Sequence, residues 1–359
     1  MGLTKPEDKM MAAPGVLTLR EGGVGRLRLN RPSALHALDH AMCAAMLDAL
    51  LAWAGDPAVR AVVVDHAEGR GFCAGGDIRM LAASAAEGGE EARAFFRLEY
   101  QLNHLMFTYP KPIVALMDGI TMGGGVGIAL PAKIRVATER TRLAMPETGI
   151  GLFADVGGGW YLSRLPGRMG EFLALTGHRI DGAECRALGM ATHYVESAAL
   201  PDLTQAIAAG PGRLDVLLGA ACVPVPGAAI LGHQDEIDRL FTGETLEEVL
   251  AALEADGGEW ATAQRQVLAA KSPLSMKVCL KLVRESRKLT DFADEMRLEF
   301  AIGSRIIAEP DFVEGVRSVI VDKDHAPHWN PAAAEGVSAA TVDAIFAPLA
   351  EGEAWHPAA

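Results

Sequence analysis

The sequence has few cysteines, few aromatic residues and fewer basic than acidic residues. Its five cysteines show no paired spacing, so we predict reduced thiols and no disulfide framework. There are 46 acidic and 33 basic residues, which gives a formal net charge of −13 and argues against a nucleic acid or an anionic membrane as partner. The ten histidines form no ligand-like cluster, so no metal site is predicted.

Long hydrophobic runs are also missing. No apolar run reaches the roughly 18 residues that a membrane-spanning helix requires. The first residues, MGLTKPEDKMMAAPG, are polar and lack the apolar centre of a secretory signal, so we expect a cytoplasmic protein with a disordered segment over residues 1–14. The chain of 359 residues is 50% hydrophobic and 22% charged, which is typical of a large globular domain.

Two segments run from a buried strand through a glycine-rich turn into a helix, at residues 59–81 and 112–132. The alternating apolar and basic residues of 24–32 predict an edge strand. A VPVPG break predicts a boundary between a mixed core over residues 15–225 and a mainly helical region over residues 226–359. Within the latter, helices are predicted at 244–256, 271–288 and 291–308.

The two glycine turns, CAGGDI (73–78) and MGGGVGI (122–128), each open a helix. The first turn of a helix has unpaired N–H groups, and glycine lets a ligand approach the backbone closely. Neither turn fits a dinucleotide or Walker fingerprint. Two such donors converging on one oxygen would form an oxyanion hole.

The segment PETGIGLFADVGGGW (146–160) carries two carboxylates, Glu147 and Asp155, with no basic neighbour in the stretch. Burying an unpaired charge is costly, so these acids call for an explanation. A functional site is one explanation. For Asp155, and for Glu99 on the long helix before it, the alternative is a structural role in which backbone N–H groups of the glycine loops satisfy both acids.

The stretches FCAGGDI, GITMGGGVGI and MPETGIGLFADVGGGW resemble the enoyl-CoA hydratase/isomerase (crotonase) superfamily, and within it the 3-hydroxyisobutyryl-CoA hydrolase branch. The likeness extends from LNRPSALHAL to DFVEGVRSVIVDKD, over about residues 15 to 330. It implies an α/β fold, a spiral of repeated ββα units followed by a helical C-terminal region. It also implies an acyl-CoA substrate and no separate cofactor, since CoA is part of the substrate.

Carried over by position, the resemblance assigns the oxyanion-hole N–H groups to Gly76 and Gly124 and the catalytic carboxyls to Glu147 and Asp155. Glu147 would either attack the thioester as a nucleophile or activate a water as a general base, and both roles stay open. Asp155 would bind the substrate and help to protonate the departing thiolate. Spacing alone makes Glu99 the polar edge of an apolar helix face, whereas the likeness of FFRLEYQLN implies that it contacts substrate.

Three further residues have weaker assignments. Arg31, in LNRP, and Lys323, in VDKD, stand near positions where basic residues contact CoA in the family, with solvated surface charge as the alternative for each. Cys73 is interpreted as a packing residue, because no histidine stands nearby in sequence to activate it as a nucleophile.

The resemblance therefore predicts hydrolysis of an acyl-CoA thioester, with 3-hydroxyisobutyryl-CoA as the favoured substrate and valine catabolism as the setting. An enoyl-CoA hydratase or isomerase is the first alternative. It is disfavoured because Gly127 stands where hydratases of the family have one of their two glutamates. A non-catalytic CoA-binding protein is the second, disfavoured because all the site residues are intact. Family members often associate, so a homo-oligomer and a monomer both stay open.

Overall fold

The structure, a computed structural model, describes residues 14–358, so the disordered segment predicted over 1–14 lies outside the described residues except for Pro14. Ten strands occur in the described range: β1 Val16–Glu21, β2 Val24–Leu29, β3 Ala61–His66, β4 Gly71–Cys73, β5 Ile113–Met117, β6 Ile120–Met122, β7 Ile134–Ala137, β8 Arg142–Ala144, β9 Ile180–Asp181 and β10 His193–Tyr194.

The same range contains sixteen α-helices, most of them in the second half of the chain. They are α1 His40–Ala54, α2 Ile78–Ala86, α3 Glu90–Thr108, α4 Gly124–Gly127, α5 Gly158–Leu162, α6 Met169–Thr176, α7 Gly182–Ala187, α8 Leu200–Ala209, α9 Leu214–Ala221, α10 Gln234–Leu240, α11 Leu246–Asp256, α12 Glu259–Ala269, α13 Pro273–Ser286, α14 Phe292–Ile306, α15 Pro310–Val316 and α16 Ala339–Phe346. The three helices predicted after residue 240 are confirmed as α11, α13 and α14.

The strands form two sheets, and from β3 to β8 successive strands alternate between them. The larger sheet has the order β1-β2-β3-β5-β7-β10, and the smaller one has the order β4-β6-β8-β9. All pairs are parallel except β1 with β2 and β8 with β9. Each repeat thus adds one strand to each sheet before the chain passes on, which is the predicted spiral of ββα units.

The prediction of an edge strand over residues 24–32 is wrong. β2 lies between β1, its antiparallel partner, and β3, its parallel partner. The basic residues that suggested exposure are satisfied within the sheet: Arg26 donates to Asp65 of β3 at 2.6 Å and also pairs with Glu21. An alternating basic strand can therefore be internal when acidic residues stand opposite it.

The helices that follow residue 226 pack into the same hydrophobic cluster as the strands and α1. α13 contacts α6, and α14 contacts α3. α3 buries Phe95, Glu99, Leu102 and Met106 together, as their spacing predicts. The boundary near residue 225 stays a prediction. Within residues 14–358, no helix has the length and apolar composition needed to span a membrane.

Candidate active site

Three neighbouring parallel strands of the smaller sheet end at the same edge. Register pairs Cys73 of β4 with Thr121 of β6, and Met122 of β6 with Ala144 of β8. The turn after β4 carries Gly76, the turn after β6 carries Gly124, and the turn after β8 carries Glu147. Parallel pairing therefore delivers two backbone N–H groups and one carboxyl to one place, although about fifty residues separate the first two in sequence.

A cavity of about 480 Å³ opens at this edge. All five principal site residues predicted from the sequence line it, which are Gly76, Glu99, Gly124, Glu147 and Asp155. Side chains from the C-terminal half close its other side, including Lys271, Ile320 and His325. The cavity thus joins residues from three strand ends, from α3 and from the helical region.

The backbone N–H groups of Gly76 and Gly124 lie close together at the cavity. Neither donates a hydrogen bond to any acceptor in the described part of the chain. A Cβ placed on Gly124 would lie 3.2 Å from the Gly76 nitrogen and 2.5 Å from Glu99 Oε1. A side chain there would force the Glu99 carboxyl and the backbone at Gly76 to shift, so glycine suits the close approach of the two backbone nitrogens.

The three carboxyls are buried, with exposures of 2% for Glu99 and 5% each for Glu147 and Asp155. Asp155 Oδ2 accepts a hydrogen bond of 2.9 Å from the Tyr100 hydroxyl. Among the described residues, Glu99 Oε1 and Glu147 Oε2 have no hydrogen-bond partner. Backbone N–H groups of the glycine loops therefore do not satisfy these two oxygens, which favours a functional explanation over a structural one.

Burial is the main cause of raised pKa values in all three carboxyls. It raises the pKa of Glu99 well above its usual value, and the charges of Asp155 and Glu147 add to the effect. It does the same for the pKa of Glu147, with help from Asp155 and opposition from the Lys271 ammonium. Burial raises the pKa of Asp155 to about 7 against the opposing hydrogen bond from Tyr100. Asp155 can therefore exchange a proton near neutral pH.

Sequence reasoning missed Lys271, Arg179 and Tyr100. The Lys271 Nζ lies 3.3 Å from where a Cβ on Gly149 would stand, two residues after Glu147 in the same turn. Burial lowers the pKa of Lys271, and the charge of Glu147 opposes that shift. Arg179 also lines the cavity. Both basic residues are isolated in sequence, and no motif marks them.

The more weakly assigned residues lie outside the cavity lining. Arg31 pairs with Asp77 at 2.8 Å and donates to the Ala37 carbonyl, so its guanidinium is already engaged. Lys323 is exposed on the segment that carries the lining residue His325. CoA contacts for Arg31 and Lys323 stay predictions.

The Cys73 thiol is fully buried beside the cavity. Its Sγ donates to the His36 carbonyl at 3.2 Å, and burial raises the pKa of Cys73 to about 12. A thiol that keeps its proton is a poor nucleophile, which agrees with a packing role.

Comparison with known proteins decides the family. A model of the enoyl-CoA hydratase/isomerase family matches residues 24–346. The chain belongs to this family. It is 40% identical to a chicken (Gallus gallus) protein named 3-hydroxyisobutyryl-CoA hydrolase, mitochondrial, over 95% of this chain and 91% of the relative.

Two solved structures of the family share the fold. One is a carnitinyl-CoA dehydratase from Mycobacterium thermoresistibile, 40% identical, with a TM-score of 0.91 over 94% of this chain and 98% of that one. The other is an enoyl-CoA hydratase from Rhodobacter sphaeroides 2.4.1, 38% identical, with a TM-score of 0.87 over 95% of this chain and 99% of that one. The predicted family and the predicted fold class are confirmed.

Gly127 lies where packing leaves no room for a side chain. A Cβ there would stand 2.6 Å from the Val156 Cβ and 3.0 Å from Asn103 Nδ2. Asn103 also donates to the Gly127 carbonyl at 2.9 Å, which holds this arrangement in place. A glutamate at this position would displace the segment that carries Asp155.

We expect Asp155→Asn to stabilise the fold at high pH. The pKa of this carboxyl is about 7 in the folded chain and 3.8 without the fold, so protonation favours the folded state and that contribution is lost as pH rises through 7. Asparagine can still accept the Tyr100 hydrogen bond and carries no charge. Between pH 5 and pH 8, the free energy of unfolding of the variant relative to the parent should rise by roughly 2 to 3 kcal/mol.

Chemical denaturation at both pH values measures this difference. Asp48→Asn, which removes an exposed carboxyl on α1, is the control and should show the same difference at pH 5 and pH 8. A stabilisation by Asp155→Asn that does not grow with pH would show that this carboxyl ionises normally in the folded protein.

Proposed function

We propose that this protein hydrolyses acyl-CoA thioesters, with 3-hydroxyisobutyryl-CoA as the best candidate substrate. One observation carries the proposal: two N–H groups that bond no acceptor among the described residues, at Gly76 and Gly124, line a single cavity with three buried carboxyls, Glu99, Glu147 and Asp155. The name of the chicken relative supports the same reaction.

In the proposed complex, the thioester oxygen accepts hydrogen bonds from the Gly76 and Gly124 N–H groups. Charge that develops on this oxygen during attack is stabilised by donors already in position. Glu147 stands next to them, because a Cβ on Gly123 would lie 2.9 Å from Glu147 Oε1. Its carboxylate can therefore reach the carbonyl carbon, directly or through one water.

Direct attack would form a mixed anhydride between Glu147 and the acyl group, as the C–S bond breaks and CoA leaves as a thiolate. Asp155 would give the thiolate its proton, because its pKa of about 7 lets it hold one near neutral pH. Water then opens the anhydride, which yields the free acid and regenerates the Glu147 carboxylate, and Asp155 recovers a proton from that water.

We assign recognition of the substrate hydroxyl to Glu99 and Asp155. Glu99 Oε1 has no hydrogen-bond partner among the described residues and faces Gly124, next to the position proposed for the acyl group. A substrate hydroxyl would supply the missing partner. An acyl chain without the hydroxyl would leave the carboxyl buried and unsatisfied, which is the more costly state.

Hydration of an enoyl-CoA is the competing function, because the two solved structures bear hydratase or dehydratase titles. Addition of water across a double bond requires a base and an acid placed on either side of it. Glu147 could supply one. The second glutamate of hydratases has no counterpart at Gly127, where packing excludes a side chain.

We further propose valine catabolism as the setting and acyl-CoA as the partner, without metal or a separate cofactor. The cytoplasmic location stays a prediction, and the chicken relative is named mitochondrial, so fractionation of cells is the direct test. The oligomeric state also stays open, and sedimentation of the purified chain would measure it.

The purified protein should release free thiol from 3-hydroxyisobutyryl-CoA without added metal or nucleotide, and should hydrate crotonyl-CoA poorly. Two oxyanion donors, each worth about 3 kcal/mol in transition-state stabilisation, favour attack on the thioester. A thiol reagent follows the first reaction, and loss of enoyl absorbance follows the second. Rapid hydration of crotonyl-CoA with no thiol release would assign the protein to the hydratases instead.

Glu147→Gln should nearly abolish turnover, because glutamine is neither a nucleophile nor a base. Single-turnover hydrolysis in ¹⁸O-water separates the two roles of the parent residue. Label found in Glu147 by peptide mass spectrometry supports a mixed anhydride that water opens at the Glu147 carbonyl. Label confined to the released acid is expected of general-base catalysis and also of an anhydride opened at its acyl carbonyl, and trapping separates these two. Addition of hydroxylamine is a second check, since it would convert an anhydride into an acyl hydroxamate.

The parent protein should prefer 3-hydroxyisobutyryl-CoA over isobutyryl-CoA by more than the roughly tenfold that one hydrogen bond of about 1.4 kcal/mol gives. Glu99→Gln should mainly reduce this preference, whereas Asp155→Asn should lower kcat. The measurement is kcat/KM for both thioesters in the parent and in each variant. Equal use of the two substrates by the parent would remove hydroxyl recognition from both residues.

A further inference from the structure

Besides the three site carboxyls, two further buried carboxyls lie beside the loop that carries Asp155. Glu295 and Glu299 stand one turn apart on α14 and are both fully buried. The Gly157 N–H donates to Glu299 Oε2 at 2.7 Å, and the Gly159 N–H donates to Glu299 Oε1 at 3.2 Å. Glu299 therefore holds the backbone of this loop with both of its oxygens, two residues beyond Asp155.

The hydrogen bonds indicate which of the two carboxyls, Glu295 or Glu299, carries the proton that they share. Within the described range neither carboxyl has an ion-pair partner, and two adjacent buried carboxylates cannot both keep a charge. Glu295 Oε1 accepts from the Ser286 hydroxyl at 2.7 Å, whereas Glu295 Oε2 has no donor among these residues. Because both oxygens of Glu299 already receive N–H groups and Glu295 Oε2 receives none, the hydrogen bonds favour the shared proton on Glu295, against the charge of Arg164, which favours ionised Glu295.

The backbone of this loop has a conformation that surrounding contacts must stabilise. Val156, between Asp155 and Gly157, has a φ of 54°, in the left-handed region that β-branched residues rarely adopt. A residue persists in that region only when surrounding contacts impose it. The two N–H bonds to Glu299 come one and three residues after Val156. Val156 is bonded directly to Asp155, so these bonds restrain the backbone next to that carboxyl.

α14 also holds Asp155 from a second direction. Phe300, the residue after Glu299, packs edge-on against the Tyr100 ring, with centroids 6.3 Å apart. The hydroxyl of Tyr100 donates to Asp155 Oδ2. The turn of α14 with Glu299 and Phe300 thus contacts both the backbone at Gly157 and Gly159 and the tyrosine that donates to the Asp155 carboxyl.

We propose that Glu299 is a positioning residue for Asp155 and that Glu295 assists it as a neutral, proton-bearing partner. The inference rests on the proposed thioester hydrolysis only for its effect on turnover. Glu299 contacts no substrate. It acts by holding the loop so that Asp155 faces the departing thiolate.

Two isosteric variants separate this proposal from a general packing role. In Glu299→Gln, the amide NH₂ meets one of the two glycine N–H donors, so one bond becomes a repulsive contact. In Glu295→Gln, the amide NH₂ donates to Glu299 as the proton does, and its carbonyl still accepts from Ser286. We expect Glu299→Gln to lower kcat at least tenfold with KM changed less than about twofold, and Glu295→Gln to keep kcat within about threefold of the parent.

A double-mutant cycle tests whether Glu299 acts through Asp155. In the Asp155→Asn background, Glu299→Gln should lower kcat by less than about twofold, because the group that it positions has already lost its function. If the glutamine variant fails to fold, Glu299→Asp replaces it in the test. This variant keeps the carboxyl group but is long enough to accept from only one of the two N–H groups, so it should lower kcat by an intermediate amount. Independent, multiplicative losses would overturn the proposal, as would equal losses from the Glu295 and Glu299 variants.

Hydrogen exchange of the loop gives a readout that needs no turnover. The Gly157 and Gly159 amides should exchange at least about tenfold faster in Glu299→Gln than in Glu295→Gln. If the parent hydrolyses no thioester, the proposed function fails, yet this comparison still decides whether Glu299 holds the loop. Unchanged protection of both amides in Glu299→Gln would refute the positioning role.

Discussion

The parallel pairing of β4, β6 and β8 is the constraint on which the site depends. Because their register is shared, each strand ends at the same edge, and each turn delivers one group to the cavity. The proposed oxyanion donors are main-chain atoms, so their position follows from strand pairing and not from side-chain rotamers. Sheet formation and assembly of the donor pair are therefore the same event.

The helical second half of the chain supplies residues that enclose the site and support its loops. α14 supports the loop of Asp155 from below, and the segment before α13 places Lys271 beside the turn of Glu147. The pKa shifts of the carboxyls follow from this enclosure, since burial is the first cause for each of them. Removing water strengthens the electrostatics of the site but lowers the stability of the fold around ionised acids.

Local patterns in the sequence were sufficient for the glycine turns, the long helices and the buried face of α3, because each depends on residues near one another in the chain. The family likeness added Glu147 and Asp155. Lys271 and Glu299 escaped prediction because they meet the loop only through tertiary packing, more than a hundred residues away. The edge-strand error over residues 24–32 has the same origin, since Asp65 on another strand neutralises Arg26.

The close contact between Gly127 and Val156 decides in which order two substitutions could introduce a second glutamate, at position 127. A glutamate introduced first at position 127 meets Val156 and Asn103 at once. A glycine introduced first at position 156 removes the blocking methyl groups and suits the φ of 54° better than valine does. The glycine at position 156 must therefore come first, because the glutamate at position 127 fits only after it.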